Sequence, residues 1–325
     1  MIRSIVICLL IAAFLLTVSP AQAQQPAKVP KIGWLASGSG SSSGRELFWR
    51  ELRALGYVEG KNIAFESRYA EDKLDRLPAL ADELVRLKVD VLVVSATPGA
   101  QAAKNATRTI PIVFYSVADP VAAGLVGSLA RLGGNITDFT IIAPALAGKR
   151  LELLKETIPK LSRAAVLWDP QTPASVQQWK ESQLPARELG LQLHSMEVSS
   201  ADKYESAFKE ATKTRSAALA VTANASYVSN QKQIVNLAVK NRLPAIFERR
   251  DFVDNGGLMS YGPDRVERYR RAASMVDKIL KGRKPVDIPV EQPTKFELVI
   301  NVKTAKEIGV TIPQTVLYRA DRVIK

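Results

Sequence analysis

Residues 112–121 read IVFYSVADPV, a short apolar run followed by a polar turn and an Asp-Pro pair. The run is too short for a helix and is rich in β-branched and aromatic residues, so it predicts a buried strand. Asp119 and Pro120 then predict the start of a helix, because an aspartate caps free N–H groups and proline is tolerated at the first helical position. Strand, polar turn and helix in this order form the building unit of α/β proteins.

The same alternation recurs along the chain. Strand-like runs separated by segments with helical apolar spacing lie at residues 31–36, 62–69, 89–95, 163–168, 191–198, 217–222 and 244–248, with one more at 296–300. Such alternation predicts parallel sheets covered by helices. The pattern pauses around residues 133–137, at 255–257 and in the proline-rich segment 284–293. We therefore expect two Rossmann-like α/β lobes with parallel sheets, joined by a hinge.

The pauses also predict the division of the chain. We expect residues 24–140 and 263–285 to form lobe 1, and residues 141–262 and 286–325 to form lobe 2. A chain of 325 residues is long enough for two domains of ordinary size.

The first 23 residues predict a secretory signal peptide. Arg3 precedes an apolar run at residues 5–16, which is shorter than the roughly 20 residues of a membrane-spanning helix. Ala21 and Ala23 fit cleavage after Ala23. The single cysteine, Cys8, lies inside this run, so we expect neither a disulfide nor a lipid anchor in the mature chain. The sequence thus predicts a periplasmic protein with no stable membrane insertion after cleavage.

The formal net charge of +13 raises the question of a nucleic-acid partner. The basic residues alternate with acidic ones over several helical segments, such as residues 203–215 and 265–284. No recognition motif or array of stacking aromatic residues accompanies them. We therefore expect solvated helix faces and no nucleic-acid partner.

Polar residues follow several of the expected strands. In open parallel sheets, ligands bind beyond the carboxyl ends of the strands, where helix N-termini present free N–H groups. Helix capping alone would explain each of these residues singly, but together they predict one cleft. We expect the ligand-binding residues to be Ser37, Ser43, Ser95, Thr97, Ser116, Asp119, Trp168, Asn224, Tyr227 and Glu248.

Three roles are expected within this set. Ser95, Thr97 and the free N–H groups after them should hold an anionic group, which we expect to be a carboxylate, since a helix N-terminus favours negative charge. Asp119 already supplies a negative charge and should receive a cationic group or a hydroxyl group. Trp168 and Tyr227 should cover the apolar part of the solute.

Catalytic machinery is not evident in the sequence. The single histidine, His194, lies in a strand-like run without partners for a triad or a metal site. The loop GSGSSSGRE at residues 38–46 is similar to a phosphate-binding loop but fails at defining positions. Ser43 stands where a dinucleotide fingerprint needs glycine, and Arg45-Glu46 follow Gly44 where a Walker loop needs Lys-Ser/Thr. We expect no catalytic residue, no metal and no cofactor.

Longer blocks of sequence carry a family resemblance. They are FWRELRALGYVEGKNIAFESRYAEDKLDRLPALADELV, ATRTIPIVFYSVADPVAAGLVGSLARLGGNIT, KRLELLKETIPKLSRAAVLWDP, GGLMSYGPD and KILKGRKPVDIPVEQPTKFELVINVKTAKEIGVTIP. Together they resemble the ABC transporter substrate-binding proteins of the tryptophan/tyrosine type. The resemblance implies a type I periplasmic-binding fold of two lobes joined by three crossings. It also implies an amino acid or other small organic solute in the cleft, and ABC permease subunits as partners.

Two other functions stay open beside solute delivery to a permease. A sensory receptor would use the same fold and cleft but would present its closed form to a membrane signalling protein. An exported hydrolase would need a nucleophile, a base and a stabilising group brought together, which the sequence does not indicate.

Overall fold

The computed structural model describes residues 28–38, 43–71, 73–117, 120–121, 123–127, 134–140, 144–289 and 291–325. Within these residues the strands form two separate sheets. The strands are β1 (Lys31–Ala36), β2 (Ala64–Tyr69), β3 (Val91–Ser95), β4 (Ile112–Val117), β5 (Ile136–Thr140), β6 (Arg163–Trp168), β7 (Gln192–Glu197), β8 (Leu219–Val221), β9 (Ala245–Phe247), β10 (Met259–Pro263), β11 (Phe296–Asn301) and β12 (Arg322–Ile324).

Helices connect most of the strands. The α-helices are α1 (Ser43–Ala54), α2 (Leu77–Arg86), α3 (Ala96–Ala106), α4 (Ala147–Thr157), α5 (Pro173–Glu188), α6 (Tyr204–Lys213), α7 (Ala225–Ser229), α8 (Gln231–Lys240), α9 (Arg250–Asp254), α10 (Arg265–Leu280), α11 (Val302–Ile308) and α12 (Gln314–Leu317). Short 3₁₀ turns lie at Leu74–Arg76, Pro144–Leu146, Ala201–Lys203 and Pro285–Asp287.

The first sheet has the strand order β2-β1-β3-β4-β5, and all of its pairs are parallel. Its central strands β1 and β3 are buried over almost their whole length. Strands covered on both faces need continuous apolar runs, which explains why the sequence pattern predicts them. One core lies between the sheet and α1 with α10, where Trp34 packs against Phe48. A second core lies on the other face, under α2 and α3.

The second sheet has the strand order β12-β11-β10-β9-β8-β6-β7. Its pairs are parallel except that β11 runs antiparallel to β10, which corrects the expectation of purely parallel sheets. The reason is the chain path. The chain leaves β10 toward the first lobe and returns at the same edge, where Asp264 donates its N–H to the Lys295 carbonyl at 3.0 Å. β11 therefore starts beside the end of β10.

The predicted fold class of two α/β lobes with largely parallel sheets is confirmed. The strands at 31–36 and 163–168 have the predicted bounds, whereas β5 lies in the predicted pause around residue 136, and β12 was not predicted. The prediction of a helix directly after Asp119 is wrong for the residues that the structure describes there. Residues 120–121 and 123–127 form turns, in which Leu125 donates its N–H to the Pro120 carbonyl at 2.9 Å.

The chain enters the first lobe twice. Helix α10 packs on the first sheet, and Ile288 is buried in the same core. The hydroxyl of Thr137 donates to the Ile288 carbonyl at 3.1 Å. Ile288 was assigned to lobe 2 from the sequence, and this packing corrects that assignment. The other lobe boundaries stay predictions, and the expected signal peptide at residues 1–23 lies outside the described residues.

Candidate ligand-binding cleft

A cavity of about 590 Å³ lies at the carboxyl ends of strands from both sheets. Volumes of this order are typical of small-molecule sites, and the strand ends of α/β sheets are where such sites form. The first lobe lines the cavity with residues that follow β1, β3 and β4 and with the start of α10. The second lobe lines it with residues that follow β6, β8 and β9.

The N-terminus of α3 opens onto this cavity through Ser95, Ala96, Thr97 and Pro98. The side chain of Ser95 makes no capping hydrogen bond to the helix. Ser95 lies instead beside Tyr115 of the neighbouring strand. The N–H groups of Ala96 and Thr97 have no intrahelical partner at such a terminus, and the helix dipole gives it a partial positive charge. This end of the cavity therefore favours an anion.

Ser37 faces the same helix end. It is only 5% exposed, and its Oγ has no hydrogen-bond partner among the described residues. A Cβ added to Gly99 would lie 3.8 Å from this Oγ, so the hydroxyl points at the first turn of α3. Buried polar groups are nearly always hydrogen-bonded, so an unsatisfied hydroxyl beside a cavity indicates a site for a polar ligand atom.

Two residues at neighbouring strand ends have left-handed backbone conformations. Ala96 has φ = 61° and Ser116 has φ = 65°. Ser95 pairs with Tyr115 across β3 and β4, so the next residues of the two strands are also neighbours. Such conformations cost non-glycine residues roughly 1–3 kcal/mol and concentrate at functional sites. The strain therefore coincides with the anion-favouring end of the cavity.

The aromatic side chains that line the cavity, within the described residues, come from the first lobe. They are Tyr115 and Tyr269, whose ring centroids lie 5.3 Å apart. Burial, followed by the neighbouring Tyr269, raises the pKa of Tyr115 well above its usual value, so this hydroxyl stays protonated. The second lobe presents small or polar side chains, among them Thr172, Ala174 and Ala223.

Asn224 lines the cavity, but its side chain is fully engaged within the second lobe. Its amide nitrogen donates to Asp169 at 2.8 Å and to Thr172 at 3.2 Å. Its amide oxygen accepts the N–H of Ser226 at 2.8 Å and so caps α7. Asn224 therefore shapes the wall of the cavity rather than offering a free donor.

Trp168 and Tyr227 do not line the cavity, which corrects their expected place in the site. The indole of Trp168 stacks on Trp179 with centroids 5.6 Å apart and donates to Ser195 at 2.8 Å. Tyr227 is 1% exposed, and its hydroxyl donates to the Val198 carbonyl at 2.7 Å. Both rings lie at strand or helix ends, as the sequence suggests, but they point into the core of the second lobe.

Charged residues from β9 to the start of α10 also line the cavity. Asp251 pairs with Arg249 and, at 2.8 Å, with Arg265. Burial alone would raise the pKa of Asp251, but Arg249 and then Arg265 outweigh it and lower the pKa to about 2. Glu248 is 7% exposed and lies close enough to Arg249 and Arg268 to favour their charged forms.

Arg268 is the most buried of the lining arginines, at 3% exposure. Its guanidinium donates to the hydroxyl of Ser116 and lies 5.9 Å from the ring centroid of Tyr269. Burial, followed by the charge of Arg249, lowers the pKa of Arg268 below its usual value. Its Nε has no hydrogen-bond partner among the described residues.

The comparisons with known proteins agree with this geometry. A family model described as ABC transporter substrate binding protein matches residues 36–324. The chain belongs to this family. It is 29% identical over 264 residues to the tyrosine-binding protein of Clostridioides difficile. The matched region covers 80% of this chain and 75% of that protein.

Several solved structures are similar to this substrate-binding protein. A conserved domain protein of Vibrio cholerae has a TM-score of 0.85 at 30% identity, covering 91% of this chain and 100% of that one. A protein of Streptococcus pneumonia in complex with L-Trp has a TM-score of 0.83 at 27% identity, covering 91% and 99%. The leucine-binding protein LivK of Thermotoga maritima, at 14% identity and a TM-score of 0.59 over 86% and 87% of the two chains, shares the type I periplasmic-binding fold.

The substrate-binding protein thus brings six of the ten expected residues to one cavity: Ser37, Ser95, Thr97, Ser116, Asn224 and Glu248. Ser43 is the first residue of α1, and Asp119 lies outside the described residues. Arg268 was missed because it belongs to a helix read from the sequence as a solvated charged face. A weak signal exists, since Tyr269, Ala272 and Val276 next to it form an apolar stripe in that helix.

Within the described residues, no group of three or more His, Cys, Asp or Glu side chains is placed to hold a metal ion. None of the described helices combines the length and apolar character of a membrane span.

Proposed function

We propose that this chain captures an amino acid or another small organic carboxylate in the cleft and delivers it to the permease of an ABC transporter. The observation that carries the proposal is the uncapped N-terminus of α3, which opens onto a cavity lined by both lobes. The free N–H groups and the unsatisfied hydroxyl of Ser37 are suited to a carboxylate.

The relatives support an amino acid as the solute. The protein of C. difficile is named for tyrosine, and that of S. pneumonia holds L-Trp. In our proposal Ser37, Ser95 and Thr97 surround the carboxylate. Asp119, outside the described residues, stays the proposed partner of a cationic or hydroxyl group. Glu248 is proposed as a second acceptor for such a group, because it is buried and lines the cavity.

We also propose that the mature chain starts at Gln24, acts in the periplasm and turns nothing over. The sequence features at residues 1–23 support export, and membership of a family of binding proteins supports a receptor rather than an enzyme. Intact-mass measurement of the exported protein tests the first part, and a mass that includes Cys8 or an acyl chain contradicts it.

A thermal-shift screen tests the proposed class of solute. The mature chain is screened with L-tyrosine, L-tryptophan, L-leucine, L-glutamate and succinate, because a ligand that binds the native state raises its apparent stability. We expect at least one of these acids to raise the melting temperature in a saturable way. Absence of a shift with all five contradicts the proposed class.

Calorimetry on a variant then tests the place of the carboxylate. Thr97→Ala should weaken binding of the best acid by about 1.5–3 kcal/mol, the usual value of a hydrogen bond to a charged group. Thr311→Ala, at an exposed position away from the cavity, is the matched control and should bind like the parent. Equal affinity of Thr97→Ala and the parent contradicts the contact.

A further inference from the structure

The arginines at positions 249, 250, 265 and 268 differ in their charge partners. Arg249 and Arg265 both pair with Asp251, and Arg250 pairs with Asp254. Arg268 makes no ion pair with a described residue, and the hydrogen bond that it donates goes to the neutral hydroxyl of Ser116. Buried charges are normally paired, because removing a lone charge from water is costly. Asp251 and Glu248 act on Arg268 only from a distance, so this buried cation can still take an anionic partner in direct contact.

The position of Arg268 shows where that partner would lie. Its guanidinium is held at Ser116, at the end of β4. The uncapped start of α3 follows the neighbouring strand β3, and adjacent strands lie roughly 4.8 Å apart. The guanidinium of Arg268 and the start of α3 thus lie at neighbouring strand ends. Both line the same cavity.

We propose that Arg268 recognises the acidic group of the solute, sharing one carboxylate with the N-terminus of α3. This inference rests on the proposed function and adds the residue that makes the site select an acid over its uncharged derivatives. A planar guanidinium matches a carboxylate in two parallel hydrogen bonds, whereas the hydroxyl groups of Ser37 and Thr97 also accept amides and alcohols as partners. Without Arg268 the site would bind an acid and its uncharged amide with similar affinities.

A purely structural role makes a different prediction. If Arg268 only steadies the left-handed turn at Ser116, its replacement lowers stability and leaves the choice between acid and amide unchanged. The ratio of two affinities measured on the same folded variant separates the roles, because loss of folded protein affects both affinities alike.

The experiment uses calorimetry with the acid that gives the largest thermal shift among L-tyrosine, L-tryptophan, L-leucine and L-glutamate, and with its own α-amide. We expect the parent to prefer the acid by roughly 10- to 150-fold, the equivalent of one charged hydrogen-bonding contact. Arg268→Gln should reduce this preference to less than about threefold, a residual that the α3 dipole can supply. Arg268→Lys should keep part of it, since an ammonium retains the charge without the paired geometry.

Arg271→Gln is the matched control, since Arg271 lies on the same helix, pairs with Glu267 and Glu291, and does not line the cavity. It should keep the acid preference of the parent. The inference is overturned if the parent binds acid and amide equally, or if Arg268→Gln keeps the preference. The first of these outcomes requires no variant to fold. Absence of binding to these four acids and to succinate by the parent contradicts the proposed function itself, and the inference with it.

Discussion

At the scale of single residues, the cleft combines groups that are costly to bury with groups that offset that cost. Asp251 forms ion pairs with two arginines, whereas Arg268 and the hydroxyl of Ser37 have unmet hydrogen-bonding capacity. Such residues cannot be identified from sequence alone. Arg268 lies among Arg265, Arg270 and Arg271 in the printed chain, and only the packing of α10 on the first sheet separates it from them.

Asp251 makes the free energy of unfolding depend on pH in the acidic range. Its pKa is about 2 in the folded chain and near 3.8 when unfolded, so the unfolded chain binds the proton more readily. Its ion pairs therefore contribute stability above about pH 4, and that contribution is lost as the pH falls through about 2. The shift corresponds to about 2 kcal/mol, since one pKa unit is about 1.4 kcal/mol.

Urea unfolding at pH 6 and pH 3 measures this effect. The loss of unfolding free energy between the two pH values should be smaller in Asp251→Asn than in the parent, because the asparagine does not titrate. Asp75→Asn, at an exposed carboxylate, serves as the control. An equal pH dependence in Asp251→Asn and the parent would show that the carboxylate is not stabilised by its arginines.

At the scale of elements, the sequence predicts strands well where burial on both faces demands a continuous apolar run. β1, β4 and β6 are such strands. It fails for β12, which has three residues and begins with Arg322 at the edge of its sheet. It also fails at Trp168, because position at a strand end does not determine which way the ring packs. The strand ends that form the cleft were predictable, but the side chains that point into it were only partly so.

Gly262 in β10 limits how closely β10 can approach the end of β9. A Cβ at this position would lie 2.0 Å from the carbonyl oxygen of Glu248, which belongs to the backbone and cannot move aside cheaply. Gly262→Ala should therefore push β10 away from the end of β9 and lower the free energy of unfolding by about 1–3 kcal/mol, as overpacking does.

Gly127→Ala is the control for this prediction, because a Cβ there meets no atom of the described residues within 4 Å. Denaturant unfolding of both variants gives the comparison. Similar stability of the two variants would mean that the strands tolerate the extra methyl group without strain.

At the scale of the whole molecule, each lobe has its own sheet with a core on both faces. Separately packed lobes that share one cavity can close on a ligand as rigid bodies. We therefore predict that saturating solute reduces the radius of gyration measured by small-angle scattering. L-arabinose, a sugar without an acidic group, should leave the radius unchanged. An equal radius with and without a bound acid, at concentrations where calorimetry shows saturation, would contradict closure.

The return of α10 to the first lobe affects the order in which the molecule can fold during synthesis. The core that contains Trp34 and Phe48 is completed only by Tyr269, Val276 and Ile288, more than two hundred residues later in the chain. An N-terminal fragment that ends before α10 exposes the apolar face of the first sheet against which that helix packs. The second lobe likewise lacks β11 and β12 until the last residues emerge. The core of the first lobe and the sheet of the second therefore cannot be completed before residues 265–324 have been made, so the nascent chain exposes apolar surface until late in its synthesis.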